Sequence, residues 1–214
     1  MKKSYQFYGL IAIFSFFSVF VSAQSNSAAV KILSNTVGLI QKNGVQTNFN
    51  LVIKDQKTSE TQKTSGSFLM KGNKFALKTN EMQVYFDGKT QWAYMPQINE
   101  VTITNPTEKE LAETNPMALL QEYKSKSSIN FSKGNADKSL YAIELIPVKN
   151  STIKNILIKI NKSTNYPAYL QITDKNGAVN TLNLLQFRKG VVVNENSFTF
   201  NPNKYKGIEI NDLR

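Results

Sequence analysis

Glu108, Glu110 and Glu113 form the densest group of side chains in this chain that could move a proton. Two carboxylates at a suitable separation can act as acid and base on a glycosidic bond. The same three residues open a helix, where the helix dipole favours negative charge, and nothing else in the sequence completes a hydrolytic site. The chain holds no histidine and no cysteine. That excludes Ser-His and Cys-His nucleophiles, and imidazole or thiolate zinc sites. Gly66 and Gly72 bracket a strand and lack the spacing of a phosphate-binding loop. The sequence argues against an enzyme and calls for no cofactor and no metal.

Thirteen Phe, nine Tyr and one Trp remain. Aromatics can form a sheet face that receives an apolar guest, and they equally form ordinary cores. Outside the first 23 residues, six of the remaining sixteen fall in residues 66–106, GSFLMKGNKFALKTNEMQVYFDGKTQWAYMPQINEVTITNP. Met82, Val84 and Phe86 alternate before Asp87-Gly88, a hairpin signal, and Trp92 and Tyr94 alternate after it. A two-residue Asp87-Gly88 loop would put Tyr85 on the face of Trp92. A three-residue loop keeps Met82, Val84, Trp92 and Tyr94 together, and this is the expected register. Phe75 and Leu77, two apart, share a face that Ala76 does not.

These residues need elements to hold them. Ala29, Ile32, Leu33, Thr36, Val37 and Ile40 form one helical stripe from Ser27, ended by Asn43-Gly44 with Gly44 suited to a left-handed position. Thr47, Phe49, Leu51 and Ile53 alternate as a strand, and residues 55–65 read as a polar loop. Strands follow at 67–70 and 75–79, in both hairpin arms, and at Val101 and Ile103. The period then changes. Thr107-x-x-Glu110 is a capping box, and Asn115-Pro116 opens a second helix with Met117, Leu120 and Tyr123 on its apolar side. Strands resume at 129–131, 140–146, 153–160, 168–173, 179–187 and 198–200. Ten or eleven antiparallel strands must curl, and a curled sheet has a concave face to fill.

Lys2 and Lys3, an apolar run at 10–21 and Val21-Ser22-Ala23 have the order of a secretory leader cut after Ala23. The run is shorter than the roughly 20 residues a spanning helix needs. Residues 24–214 are then one domain, exported without a lipid-bearing cysteine, since Gln24 stands at the junction. Loss of Lys2 and Lys3 lowers the formal charge from +11 by two, to +9. The lysines are scattered (Lys31, Lys71, Lys89, Lys133, Lys175) with no compact basic run, so nucleic acid is not an expected partner. Attraction to anionic membranes would reach about 10 Å at physiological salt.

The run FDGKTQWAYMPQINEVTIT, preceded by GSFLMKGNKFAL, resembles the outer-membrane lipoprotein carrier proteins of the LolA type. These share an SDGKTLWFYNP-like hairpin after a G-x-L-x-x-K-x-x-x-F strand. The amphipathic N-terminal helix, the NPMALL helix and the F-T-F-x-P segment at 198–202 extend the resemblance over nearly all of residues 24–214. It implies a mainly β fold, an incomplete half-open antiparallel barrel with a helical lid over a hydrophobic concave face. The implied lipid-binding face comprises Phe49, Leu51, Met70, Phe75, Leu77, Met82, Val84, Phe86, Trp92, Tyr94, Val101 and Ile103. The implied lid comprises Ile32, Leu33, Val37, Met117, Leu119 and Leu120. Phe75 falls at the family's aromatic near the cavity mouth. The family's latch arginine has no counterpart: Gly72 or a gap stands there, beside Lys71 and Lys74. The implied role is a monomeric periplasmic chaperone for acylated lipoproteins. Its partners would be an inner-membrane ATP-driven lipoprotein release complex and an outer-membrane acceptor. Alternatives on the same scaffold are a lipid-sensing regulatory module, or a carrier of another amphiphile such as a glycolipid.

Overall fold

The computed structural model of the chain describes residues 25–55, 57–134 and 137–214. The expected leader and the Ala23–Gln24 junction lie outside these residues. Helix α1 (Ser27–Lys42) starts where the Asn26 carboxamide oxygen accepts from the Ala28 and Ala29 amides at 3.0 and 3.1 Å. Ala29, Leu33, Thr36, Val37 and Ile40 are its buried stripe. Its end differs from expectation. Asn43 is extended (φ −116°), and Gly44 serves a close approach, because a Cβ there would stand 2.1 Å from the Val191 carbonyl oxygen.

The strands are β1 (Val45–Asp55), β2 (Thr61–Lys71), β3 (Lys74–Thr79), β4 (Gln83–Phe86), β5 (Gln91–Met95) and β6 (Glu100–Thr104). Helices α2 (Glu108–Thr114) and α3 (Pro116–Lys124) follow. Then come β7 (Ser127–Phe131), β8 (Leu140–Pro147), β9 (Ile153–Asn161), β10 (Pro167–Asp174), β11 (Ala178–Lys189) and β12 (Glu209–Asp212). They form one 12-stranded sheet in the order β12-β6-β5-β4-β3-β2-β1-β11-β10-β9-β8-β7. It does not close into a barrel, so the architecture is mainly β and half-open. Most of the expected 55–65 loop is strand, because β1 and β2 pair out to Lys54 and Thr61. The expected strand at 198–200 is the end of a 3-10 turn, Glu195–Phe198, and the last strand is β12, parallel to β6.

Strands β6 and β7 lie on opposite halves of the sheet, β7 at its edge, yet they are consecutive in the chain. The segment between them must therefore cross a face of the sheet, and it does so as α2 and α3. Thr107 caps α2 with the full capping box, and Asn115 both ends α2 and caps α3. One apolar cluster joins Leu33, Leu119 and Leu120 to Ile129, Ile143, Ile156 and Ile158. A second joins Ile40 to Val45, Phe49, Phe68, Met70, Phe75, Val84 and Phe86. Within it Phe68 stacks on Phe75, with ring centroids 5.5 Å apart, and Phe86 follows at 5.7 Å.

A third cluster occupies the opposite face, and it overturns the expected register. Tyr85 pairs with Trp92, Gln83 with Tyr94, and Phe86 with Gln91. Trp92 and Tyr94 therefore point away from Met82 and Val84, and Val101 and Ile103 go with them. The turn is the cause. The Asp87 amide donates to the Thr90 carbonyl, and the Asp87 carboxylate accepts from the Lys89 and Thr90 amides at 2.9 and 2.8 Å. Only Gly88 (φ +105°) and Lys89 remain in the loop, an even count that reverses the expected face. Alternation could not decide this because the outer face is also apolar. The segment after β11 crosses it and packs Phe200 against Tyr94 and Tyr205, with centroids at 5.1 and 4.9 Å.

Gly66 faces Phe49 across β1 and β2, and a Cβ there would lie 2.2 Å from the Lys78 carbonyl oxygen and 2.8 Å from the Phe49 ring. Gly66→Ala should therefore lower stability by about 1–3 kcal/mol. Gly38→Ala, in α1 with nothing within 4 Å of the new Cβ, should raise it by up to about 1 kcal/mol. Urea denaturation of both variants checks the pair, and equal effects would contradict the packing described.

Candidate functional site

The two concave-face clusters do not meet along their whole length. Between them lies a chamber of about 460 Å³, within the roughly 300–1,000 Å³ typical of small-molecule sites. Its floor is set by register. On β1, Thr47, Phe49, Leu51 and Ile53 point inward; across the ladder Leu184 pairs with Phe49, Leu182 with Leu51, and Asn180 with Ile53. Phe68, Met70 and Leu77 continue the floor to one side, and Leu170 and Ile172 to the other. The roof is Ala112, Thr114, Pro116, Met117 and Leu120, from α2 and α3. A bulge opposite Gln46 and Asn48 bends this floor, with Gln186 at φ +52° and the Thr47 hydroxyl donating to the Leu185 carbonyl at 2.9 Å.

One end of the chamber is polar. Thr64, Thr79, Glu81 and Asn180 meet where β2 and β11 begin and β3 ends. Toward the other end, Met70 and Met117 also line a second cavity of about 660 Å³, which extends past Phe75 and Phe86 to Gly72, Lys89, Glu108 and Lys126. Two flexible thioethers thus stand between an apolar chamber and a charged vestibule.

Of the residues expected to bind lipid, Phe49, Leu51, Met70, Leu77 and Met82 line the chamber. Phe75, Val84 and Phe86 share its face, but Phe75 is fully buried in the phenylalanine stack, and the ring lines the vestibule. Trp92, Tyr94, Val101 and Ile103 lie on the outer face and do not reach it. Burial raises the Tyr85 phenol pKa on that same outer face. Among lid residues, Met117 and Leu120 line the chamber and Val37 the vestibule, while Ile32, Leu33 and Leu119 pack on the β7–β10 side. Sequence reasoning missed Leu170, Ile172, Leu182 and Leu184; the alternation of Asn180, Leu182 and Leu184 carried the signal.

No latch occupies the place of the expected arginine. Gly72 turns between β2 and β3, and Lys74 forms an ion pair with Glu195. Among the described residues no ion pair ties α2 or α3 to the sheet, the Lys126–Glu122 pair being local to the end of α3. Polar ties are few: Gln41 donates to Gln121 at 3.1 Å, and the Tyr123 and Ser151 hydroxyls lie 3.1 Å apart. The arrangement can bury an alkyl chain under a roof held by apolar contact. Among the described residues no cluster of side chains could hold a metal ion, and no helix is long and apolar enough to cross a membrane.

A solved structure from Thermus thermophilus, an uncharacterized conserved protein, is similar with a TM-score of 0.56 and 10% identity, over 86% of this chain and 99% of that one. That likeness speaks to the fold. A putative outer membrane lipoprotein-sorting protein domain from Vibrio parahaemolyticus matches at 13% identity and a TM-score of 0.44, over 80% and 96% of the two chains. A LolA superfamily protein from Nitrosomonas europaea matches at 15% and 0.41, over 80% and 97%. No curated protein matches the chain. The family model described as outer membrane lipoprotein carrier protein LolA matches residues 17–182, most of the chain, and the chain belongs to that family.

Proposed function

We propose that this protein is a periplasmic carrier that shelters the acyl chains of lipoproteins between the inner and outer membranes. The observation that carries the reading is the chamber: an apolar cavity on the concave face, roofed by two helices that no ion pair among the described residues fastens down. A chain of about fifteen methylenes gains roughly 12 kcal/mol on full burial, before costs. Lifting the roof exposes Leu119 and Leu120, which costs about 3–6 kcal/mol for the pair. The empty carrier thus stays mostly closed, and cargo supplies the free energy that populates the open state. Acylated lipoproteins would come from an ATP-driven release complex of the inner membrane and pass to an acceptor at the outer membrane. The secretory leader read in residues 1–23 delivers the chain to that compartment.

Leu120→Glu puts a charge into the roof contact and should favour the open state while weakening cargo burial. Soluble retention of a purified triacylated lipoprotein should fall at least tenfold in this variant, with Lys175→Gln unchanged. Trp92→Ala, on the outer face, should lower thermal stability yet leave retention as in the wild type. Equal retention by folded Leu120→Glu would mean that α2 and α3 are fixed packing and that the carrier reading fails. Intact-mass measurement of the native protein should give a chain beginning at Gln24; retention of residues 1–23 would remove the periplasmic assignment.

A further inference from the structure

Apolar burial grips any chain alike, so discrimination among amphiphiles must come from the groups at the chamber's end. Among the described residues twenty-three line the chamber, and Glu81 is the only charged one of these. None of the described lysines or arginines does so, although the chain holds 26 of them against 15 acids. Glu81 is exposed in the short connection between β3 and β4, at the polar end. The Thr64 hydroxyl donates to its carboxylate at 3.0 Å. The Thr79 hydroxyl oxygen accepts from the Glu81 and Met82 amides at 3.2 and 3.0 Å, which fixes the turn that presents the carboxylate. Its own backbone N–H, then Thr79 and Thr64, hold the Glu81 carboxyl below the usual carboxylate range, so it is anionic at neutral pH.

We infer that the chamber selects amphiphiles whose head carries a cationic nitrogen close to the start of the chain, and disfavours carboxylate and phosphate heads. The inference rests on the reading that the chamber takes acyl chains, and it names the head that accompanies them. It runs against the net charge of the protein. The scattered lysines draw anionic surfaces at long range, where screening sets in within about 10 Å. A head seated at the polar end meets Glu81 at hydrogen-bonding distance, and there the nearest charge dominates.

Three probes with one dodecyl chain and one fluorescent reporter, ending in a primary amine, a methyl ester or a carboxylate, test this by titration at physiological ionic strength. The wild type should bind the amine most tightly, the ester next and the carboxylate least. Glu81→Gln should reduce the amine's advantage over the ester by a factor of about two to five, as expected for an exposed charge pair. Glu209→Gln, an equal charge change on β12, should alter neither. Equal affinity of the wild type for amine and carboxylate overturns the inference, as does an amine preference that survives Glu81→Gln. Failure of all three probes to bind overturns the acyl-chain reading, and the inference with it.

Discussion

The arrangement depends on one topological constraint: consecutive strands β6 and β7 lie on opposite halves of a sheet that does not close. The 22 or so residues between them cannot follow an edge and must cross a face. Crossing a curved sheet leaves a gap wherever the connecting helices are too short to fill the concavity. Helices α2 and α3 span Glu108–Thr114 and Pro116–Lys124, and α1 fills the remainder only at its two contact regions. The chamber is the space these three helices leave unfilled between the two clusters.

The connection also has the features of a part that can move as a unit. Thr107 and Glu110 cap α2 from within, and that capping holds the Glu110 carboxyl below its ordinary range. Asn115 closes α2 and opens α3, so one residue serves both helix ends. Displacing the pair from the sheet breaks none of these bonds. What is lost is apolar contact and two side-chain contacts of α3, at Gln121 and Tyr123. Lys74, two residues after Gly72 at the expected latch position, is engaged elsewhere, with Glu195.

Much of this was legible in the sequence, for identifiable reasons. The capping box, the Asn115-Pro116 helix start and the alternation in β1 each reflect a local rule, and each holds. Phe75 and Leu77 share the concave face with Ala76 opposite, as period two requires. Register across the Asp87 turn was not legible, because period two fixes a register only when one face is wet. Here both faces are apolar: Val84 and Phe86 meet the helix side, and Tyr85, Trp92 and Tyr94 meet Phe200 and Tyr205. That covering segment lies more than a hundred residues downstream, and no local pattern announces it. The contribution of β10 and β11 to the floor was hidden likewise, since it follows from β1 pairing with β11 across most of the chain.

The chamber differs between its middle and its ends. The middle is largely aliphatic and aromatic, with the flexible thioethers of Met70 and Met117 in its wall. Contact of that kind contributes affinity in proportion to area and little selectivity. Among the described residues the charged groups stand at the ends, Glu81 at one and Lys89, Glu108 and Lys126 at the other, while the Thr47 hydroxyl on the floor is bonded to the Leu185 carbonyl. The charge of Glu81 is placed where water still reaches it, so it carries no desolvation cost into the apolar middle.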